Sequence, residues 1–116
     1  MSTAAAATAP ADTSGGAFRL VAAGDGRFSA DGPLTFATAR RARDVGARLV
    51  TGVDSASLEI DCAAVIASDS AGLAVLIDLL GTAKRAGRRL RYAQLPPGLN
   101  ALASISDVEE LLTRGV

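Results

Sequence analysis

The run Ile60-Asp61-Cys62-Ala63-Ala64-Val65-Ile66-Ala67-Ser68-Asp69-Ser70-Ala71-Gly72-Leu73 constrains this chain more than any other stretch. It reads as a strand, a tight loop and a helix that opens on Asp69-Ser70. An Asp-Ser pair before an apolar-periodic run marks a helix start, because side-chain oxygens there accept the orphan N–H groups of the first turn. The same end favours negative charge through those N–H groups and the helix dipole. A hydroxyl at this point is placed to cap, to be phosphorylated or to be docked by a partner.

The chain has 116 residues, which is one domain with no room for a second core. Residues 1–17 are mostly Ala, Thr, Ser, Pro and Gly, with neither a basic start nor a Leu-rich core. They read as a tail without fixed structure rather than a signal peptide, leaving 18–116 as the domain. No apolar run reaches the roughly eighteen residues a membrane helix needs, so the expectation is a chain with no direct membrane insertion. Twelve bases balance twelve acids, which gives no global attraction to nucleic acid or anionic lipid. Aromatics are 3% of the residues, too few to build stacking platforms for single-stranded nucleic acid. The single cysteine, Cys62, excludes an internal disulfide and suits a reducing compartment.

Along the chain, Phe18 to Ala22 reads as a first strand and Gly24-Asp25-Gly26 as a hairpin turn. A short return strand from Arg27 to Ala30 is expected to close at Asp31-Gly32-Pro33. Leu34 to Leu49 reads as a helix, with Thr35 near its cap and Phe36, Ala39, Arg43, Gly46 and Leu49 on one face. Ser57 to Cys62 alternates strictly, placing Leu58, Ile60 and Cys62 on one side of a strand. The next helix spans about Ser70 to Arg85, with a core stripe of Leu73, Leu76, Ile77, Leu80 and Ala83 and a stop at Gly87. Arg89 to Leu95 is a last strand, stopped by Pro96-Pro97. A helix through Leu99, Leu102 and Ile105 and a short amphipathic turn from Val108 to Leu112 complete the chain. The fold class is α/β: a mixed four-stranded sheet in the order ββαβαβα, with helices packed against it and right-handed parallel crossovers.

The chemistry is sparse. Histidine is absent, which removes His-based catalysis and the common His-containing zinc sites. One cysteine forms no thiolate cluster, and Gly24-Asp25-Gly26 lacks the third glycine and following helix of a dinucleotide fingerprint. Asp61 and Asp69 read as a strand-end residue and a helix cap rather than a catalytic pair. No base, nucleophile or metal site assembles, so the expectation is a binding module with no cofactor and not an enzyme.

One candidate surface follows from periodicity. On the helix that starts at Ser70, Ala71, Val75, Leu79 and Ala86 fall within a band of about 80° opposite Leu73 and Leu80. Asp78 and Thr82 lie beside them. An aligned apolar row beginning at the Asp69-Ser70 cap is a candidate docking patch, the alternative being that a neighbouring helix covers it. The patch reading expects Val75→Glu and Leu79→Arg to leave folding intact. Arg40, Arg41, Arg43 and Arg48 on the preceding helix are positioned to meet an acidic partner or lipid headgroups, although Asp44 among them suits a solvated face.

Three features in this order resemble the STAS family, named for sulfate transporters and anti-sigma-factor antagonists. They are the strand end Leu58-Glu59-Ile60-Asp61, the opening Asp69-Ser70-Ala71-Gly72-Leu73, and the helix end Ala83-Lys84-Arg85-Ala86-Gly87 leading into a strand. The likeness covers about Phe18 to Val108 and implies a small α/β interaction domain. In the antagonist branch the second hydroxyl residue of the opening is phosphorylated by a partner kinase; here that position is Ala71, which has no oxygen to modify. The small STAS subunit of the Mla phospholipid transporter of Gram-negative bacteria is more similar, with a Thr or Ser where Ser70 stands and a small residue at Ala71. That branch implies a cytoplasmic adaptor, held at the inner membrane through a partner, which is an ABC transporter ATPase subunit. The antagonist branch implies an anti-sigma kinase instead. The partner-binding residues expected on this basis are Asp69, Ser70, Ala71, Val75, Asp78, Leu79 and Thr82.

Overall fold

Gly24 and Gly26 adopt positive φ of 146° and 69°, and the chain reverses over the two-residue turn Asp25-Gly26. This joins β1 (Arg19–Gly24) to β2 (Arg27–Leu34) as an antiparallel hairpin, as glycine at such turns permits. The computed structural model describes residues 17–115; apart from Ala17, the expected tail lies outside the described residues. After the hairpin come α1 (Ala39–Gly52), β3 (Ser57–Ser68), α2 (Ser70–Arg85), β4 (Arg89–Ala93), α3 (Pro97–Ile105) and α4 (Glu109–Arg114). The sheet order is β1-β2-β3-β4, with β2, β3 and β4 mutually parallel. The expected mixed four-stranded sheet is therefore present, and the final amphipathic turn forms a helix of its own.

Alternation decides which sheet face is covered. Phe28, Ala30, Leu34, Leu58, Ile60, Leu90 and Tyr92 are buried, while their strand neighbours are exposed or half-buried. The open face carries cross-strand ion pairs, Arg19 to Asp31 at 2.9 Å and Arg91 to Glu59 at 2.8 Å, each between residues directly opposite in register. Such exposed pairs contribute at most about 1 kcal/mol each.

Two strands are longer than expected, both for reasons of register. β2 does not stop at Asp31-Gly32-Pro33 but runs to Leu34, because the register with β3 shifts between Gly32 and Pro33. A proline is tolerated at such an irregularity, where its missing N–H costs no ladder bond. β3 extends past Cys62 to Ser68, and between the pairs Ser29–Asp61 and Asp31–Ala64 it carries one residue more than β2. That bulge flips the alternation, so Val65 rather than Ala64 follows Leu58, Ile60 and Cys62 into the core. The Asp61 carboxylate accepts the Ala63 N–H at 2.8 Å across the irregular stretch.

α1 starts four residues beyond the strand, not at Leu34. Thr38 occupies its N-cap position, yet its hydroxyl serves the preceding turn, donating to the Pro33 carbonyl at 2.8 Å and accepting the Thr35 N–H at 3.0 Å. The buried face of α1 is Ala42, Gly46 and Val50. The expected face held only for Gly46 and for the part-buried Ala39 and Leu49; Arg43 is exposed and Phe36 precedes the helix.

α2 has the expected bounds, and Gly87 with Arg88 closes its end on the Lys84 and Ala83 carbonyls. Its rotation is different. Leu73, Leu76, Leu80 and Ala83 are buried as expected, Ile77 only half so, and Val75 and Leu79 are buried as well, with 6% and 2% exposure. A Cβ on Gly46 would stand 2.5 Å from Leu79 Cδ1, so the absent side chain is what lets α1 approach this flank of α2. The docking patch through Val75 and Leu79 is thus corrected: α1 covers it. On the sheet side, the Tyr92 hydroxyl donates to the Leu76 carbonyl at 2.8 Å and fastens α2 to β4.

Candidate functional site

Asp69 organises the start of α2. Its Oδ1 accepts the N–H groups of Ala71 at 3.0 Å and Gly72 at 3.1 Å, and its Oδ2 accepts the N–H of Phe36 at 3.0 Å. One carboxylate therefore caps the helix and holds the β2–α1 turn against it. The Phe36 amide first, then that of Gly72, hold its pKa below the usual carboxylate range, against a smaller opposing effect of desolvation. Because the folded pKa is depressed, the stabilisation is complete above the unfolded value of about 3.9 and is lost as pH falls through the folded value. Asp69→Ala is expected to cost about 1–2 kcal/mol at neutral pH. Asp69→Asn, which keeps a capping oxygen, is expected to flatten the acid limb of the stability–pH curve, read from urea midpoints; an acid limb as steep as wild type would show that Asp69 carries none of it.

Ser70 is the first residue of α2 and is exposed. Among the described residues its hydroxyl makes no hydrogen bond, since Asp69 does the capping alone. Beside it lies an open groove between α1 and α2. Ala39, Ala71, Ala74 and Val75 form its apolar part, Arg40 and Arg43 one side and Asp78 the other, and Phe36 stands at its mouth with 82% exposure.

Of the expected site residues, Ala71 and Asp78 line this groove, Asp69 holds the Phe36 backbone at its mouth, and Ser70 precedes Ala71 without lining it. Val75 contributes only the edge left open by α1, Leu79 lies beneath α1, and Thr82, half-buried one turn beyond Asp78, donates its hydroxyl to the Asp78 carbonyl at 3.2 Å. Phe36, Ala39 and Ala74 were missed, and Arg40 and Arg43 stood apart from the patch. The signal that locates them is the Thr35–Thr38 turn, which delays α1 and turns Phe36 from a core position into an exposed one.

The buried titratable groups lie elsewhere. Burial, with a smaller contribution from Asp61, pushes the Cys62 thiol up to about 12, so it stays protonated. Burial likewise raises the Tyr92 phenol well above its ordinary value, and its proton is committed to Leu76. What the groove offers is an apolar surface, two guanidinium groups and a carboxylate, an arrangement suited to burying an apolar side chain and pairing charges.

Comparison with known proteins gives consistent relatives. A family model described as "Mlab, STAS domain" matches residues 19–113. Among solved structures, the anti-sigma factor antagonist SpoIIAA in its unphosphorylated form superposes with a TM-score of 0.58 at 12% identity, covering 77% of this chain and 83% of that one. The murine anion transporter Slc26a9, of solute carrier family 26, in its inward-facing state also gives 0.58, at 23% identity over 74% of this chain. That match spans 14% of the transporter. Both likenesses are of fold. No curated protein matches the sequence.

Proposed function

We propose that this chain, which belongs to the STAS family, is a non-enzymatic adaptor whose α1–α2 groove docks the ATPase subunit of a phospholipid-transport ABC complex. STAS domains are regulatory and binding modules, and the match over residues 19–113 takes in every element from β1 to α4 save its last residue. The observation that carries the docking role is the division of labour at the start of α2. Asp69 satisfies the helix end and the neighbouring turn, so the Ser70 hydroxyl is not needed for capping and stands exposed, one residue before Ala71 of an apolar-floored groove. The choice of an ATPase partner is supported by the Asp-Ser-Ala-Gly-Leu opening and by the family description. Ala71 argues against the alternative, a phosphoswitch in an anti-sigma pathway, because it has no hydroxyl at the position modified there. No described helix is long and apolar enough to cross a membrane, and on this reading the chain works in the cytoplasm and reaches the inner membrane through its partner.

The test is to mix the purified chain with the ATPase subunit of the phospholipid transporter from the same organism and follow co-elution by size exclusion. A stable complex, with native protein free of phosphate by intact mass, is the expected result. Absence of a complex together with stoichiometric phosphate on Ser70 would overturn the adaptor reading in favour of a kinase-regulated switch.

A further inference from the structure

We infer that the segment seated in this groove is acidic: a partner helix or turn that inserts one apolar side chain between α1 and α2 and presents carboxylates to Arg40 and Arg43. This rests on the docking reading above and gives the partner its chemistry.

Arg40 and Arg43 lie one turn apart on α1, both exposed, and both line the groove. Among the described residues three of the eleven arginines, Arg19, Arg91 and Arg114, form ion pairs; Arg40 and Arg43 are among the eight that form none, and of those eight they are the two that line the groove. Asp78, across the groove, pairs with neither. Two unmatched guanidinium groups therefore flank a surface made of Ala39, Ala71, Ala74 and the edge of Val75. Guanidinium groups pair carboxylates with two parallel bonds, so a one-turn spacing on α1 is matched by two acids three or four residues apart on a partner helix. Phe36 supplies the apolar contact that such a segment covers. At 82% exposure it is one of three phenylalanines in the chain, and the other two are buried. Its backbone is held by Asp69, so the ring is presented from a fixed point rather than from a loose loop. A basic or purely apolar segment would leave Arg40 and Arg43 desolvated without partners, which is costly at an interface core.

The inference is tested with the same ATPase subunit as probe, by titration at about 0.05 and 0.3 M NaCl, a range over which screening of partly exposed charges changes strongly. Wild-type affinity is expected to fall by roughly tenfold as salt rises. Arg40→Glu/Arg43→Glu is expected to lose about a hundredfold or more at low salt and to reverse its salt dependence, since salt then screens a repulsion, and Phe36→Ala to lose about tenfold. The control is Arg41→Glu/Arg48→Glu, which changes the net charge equally on the same helix but away from the groove; a loss below about threefold is expected, since distant charges act mainly on encounter rate. Thermal midpoints of all variants should match wild type, as these side chains are exposed. Full affinity in the Arg40/Arg43 variant, or an equal loss in the control, would overturn the acidic segment while leaving the adaptor role standing. No binding by the wild-type chain would overturn both.

Discussion

Leu79→Arg is expected to unfold this protein. Leu79 is 2% exposed, lies on the flank of α2 that faces α1, and has the backbone of Gly46 against its methyl groups. An arginine there must either bury a guanidinium beneath α1 or push α1 off α2. Introducing an unpaired buried charge costs about 3–5 kcal/mol or more, which rivals the whole stability of a small domain. Val75→Glu, at the margin of the groove, acts in the same direction with a smaller effect because its carboxylate can turn toward solvent. Ala74→Glu, one residue away and exposed, is the control and is expected to stay within about 0.5 kcal/mol. Urea denaturation followed by far-UV circular dichroism reads all three. A Leu79→Arg variant with a wild-type midpoint would mean that α1 does not lie on α2.

Gly72→Ala is expected to be nearly as damaging, for a steric reason. Gly72 sits in the first turn of α2, and a Cβ there would lie 2.1 Å from the carbonyl oxygen of Leu34 and 2.9 Å from its carbonyl carbon. Both atoms belong to backbone at the end of β2, so no side chain can swing aside. The helix start must back away from the strand, and in doing so it strains the bond from Phe36 to Asp69 across the same junction. Overpacking of this kind typically costs about 1–3 kcal/mol, and the backbone obstacle puts Gly72→Ala at the upper end or beyond. The glycine of the Asp-Ser-Ala-Gly-Leu opening is thus a packing requirement of the fold. A thermal midpoint within a degree or two of wild type would contradict that role.

Much of this was legible in the sequence, and the parts that were not share a cause. The hairpin glycines, the bounds of α2, its cap and the order of elements are written in local chemistry, and the structure agrees with them. β3 was read short because strict alternation ends at Cys62, where a bulge changes the face that the next residues present; a register shift is made with the neighbouring strand and leaves no local mark. The rotation of α2 was misread for a similar reason. Periodicity orders residues around a helix, but it does not say how many surfaces press on it, and α1 adds a second one over Val75 and Leu79. The arginines of α1 obscured that packing, since its buried face is Ala42, Gly46 and Val50, small or slender residues that give a weak apolar signal. The candidate site followed the same division: Asp69, Ser70, Ala71 and Asp78 came from α2 alone, whereas Phe36, Arg40 and Arg43 join them only once α1 is placed beside it.

On this reading a partner binds the α1–α2 groove and not the open face of the sheet. Backbone amide hydrogen exchange on the chain alone and in complex with the transporter ATPase subunit tests it most directly. Added protection is expected over residues 36–43 and 70–78, with the open-face strand residues around Arg19, Asp31, Glu59 and Arg91 unchanged. Protection confined to those strand residues, with residues 36–43 and 70–78 exchanging as in the free chain, would contradict it.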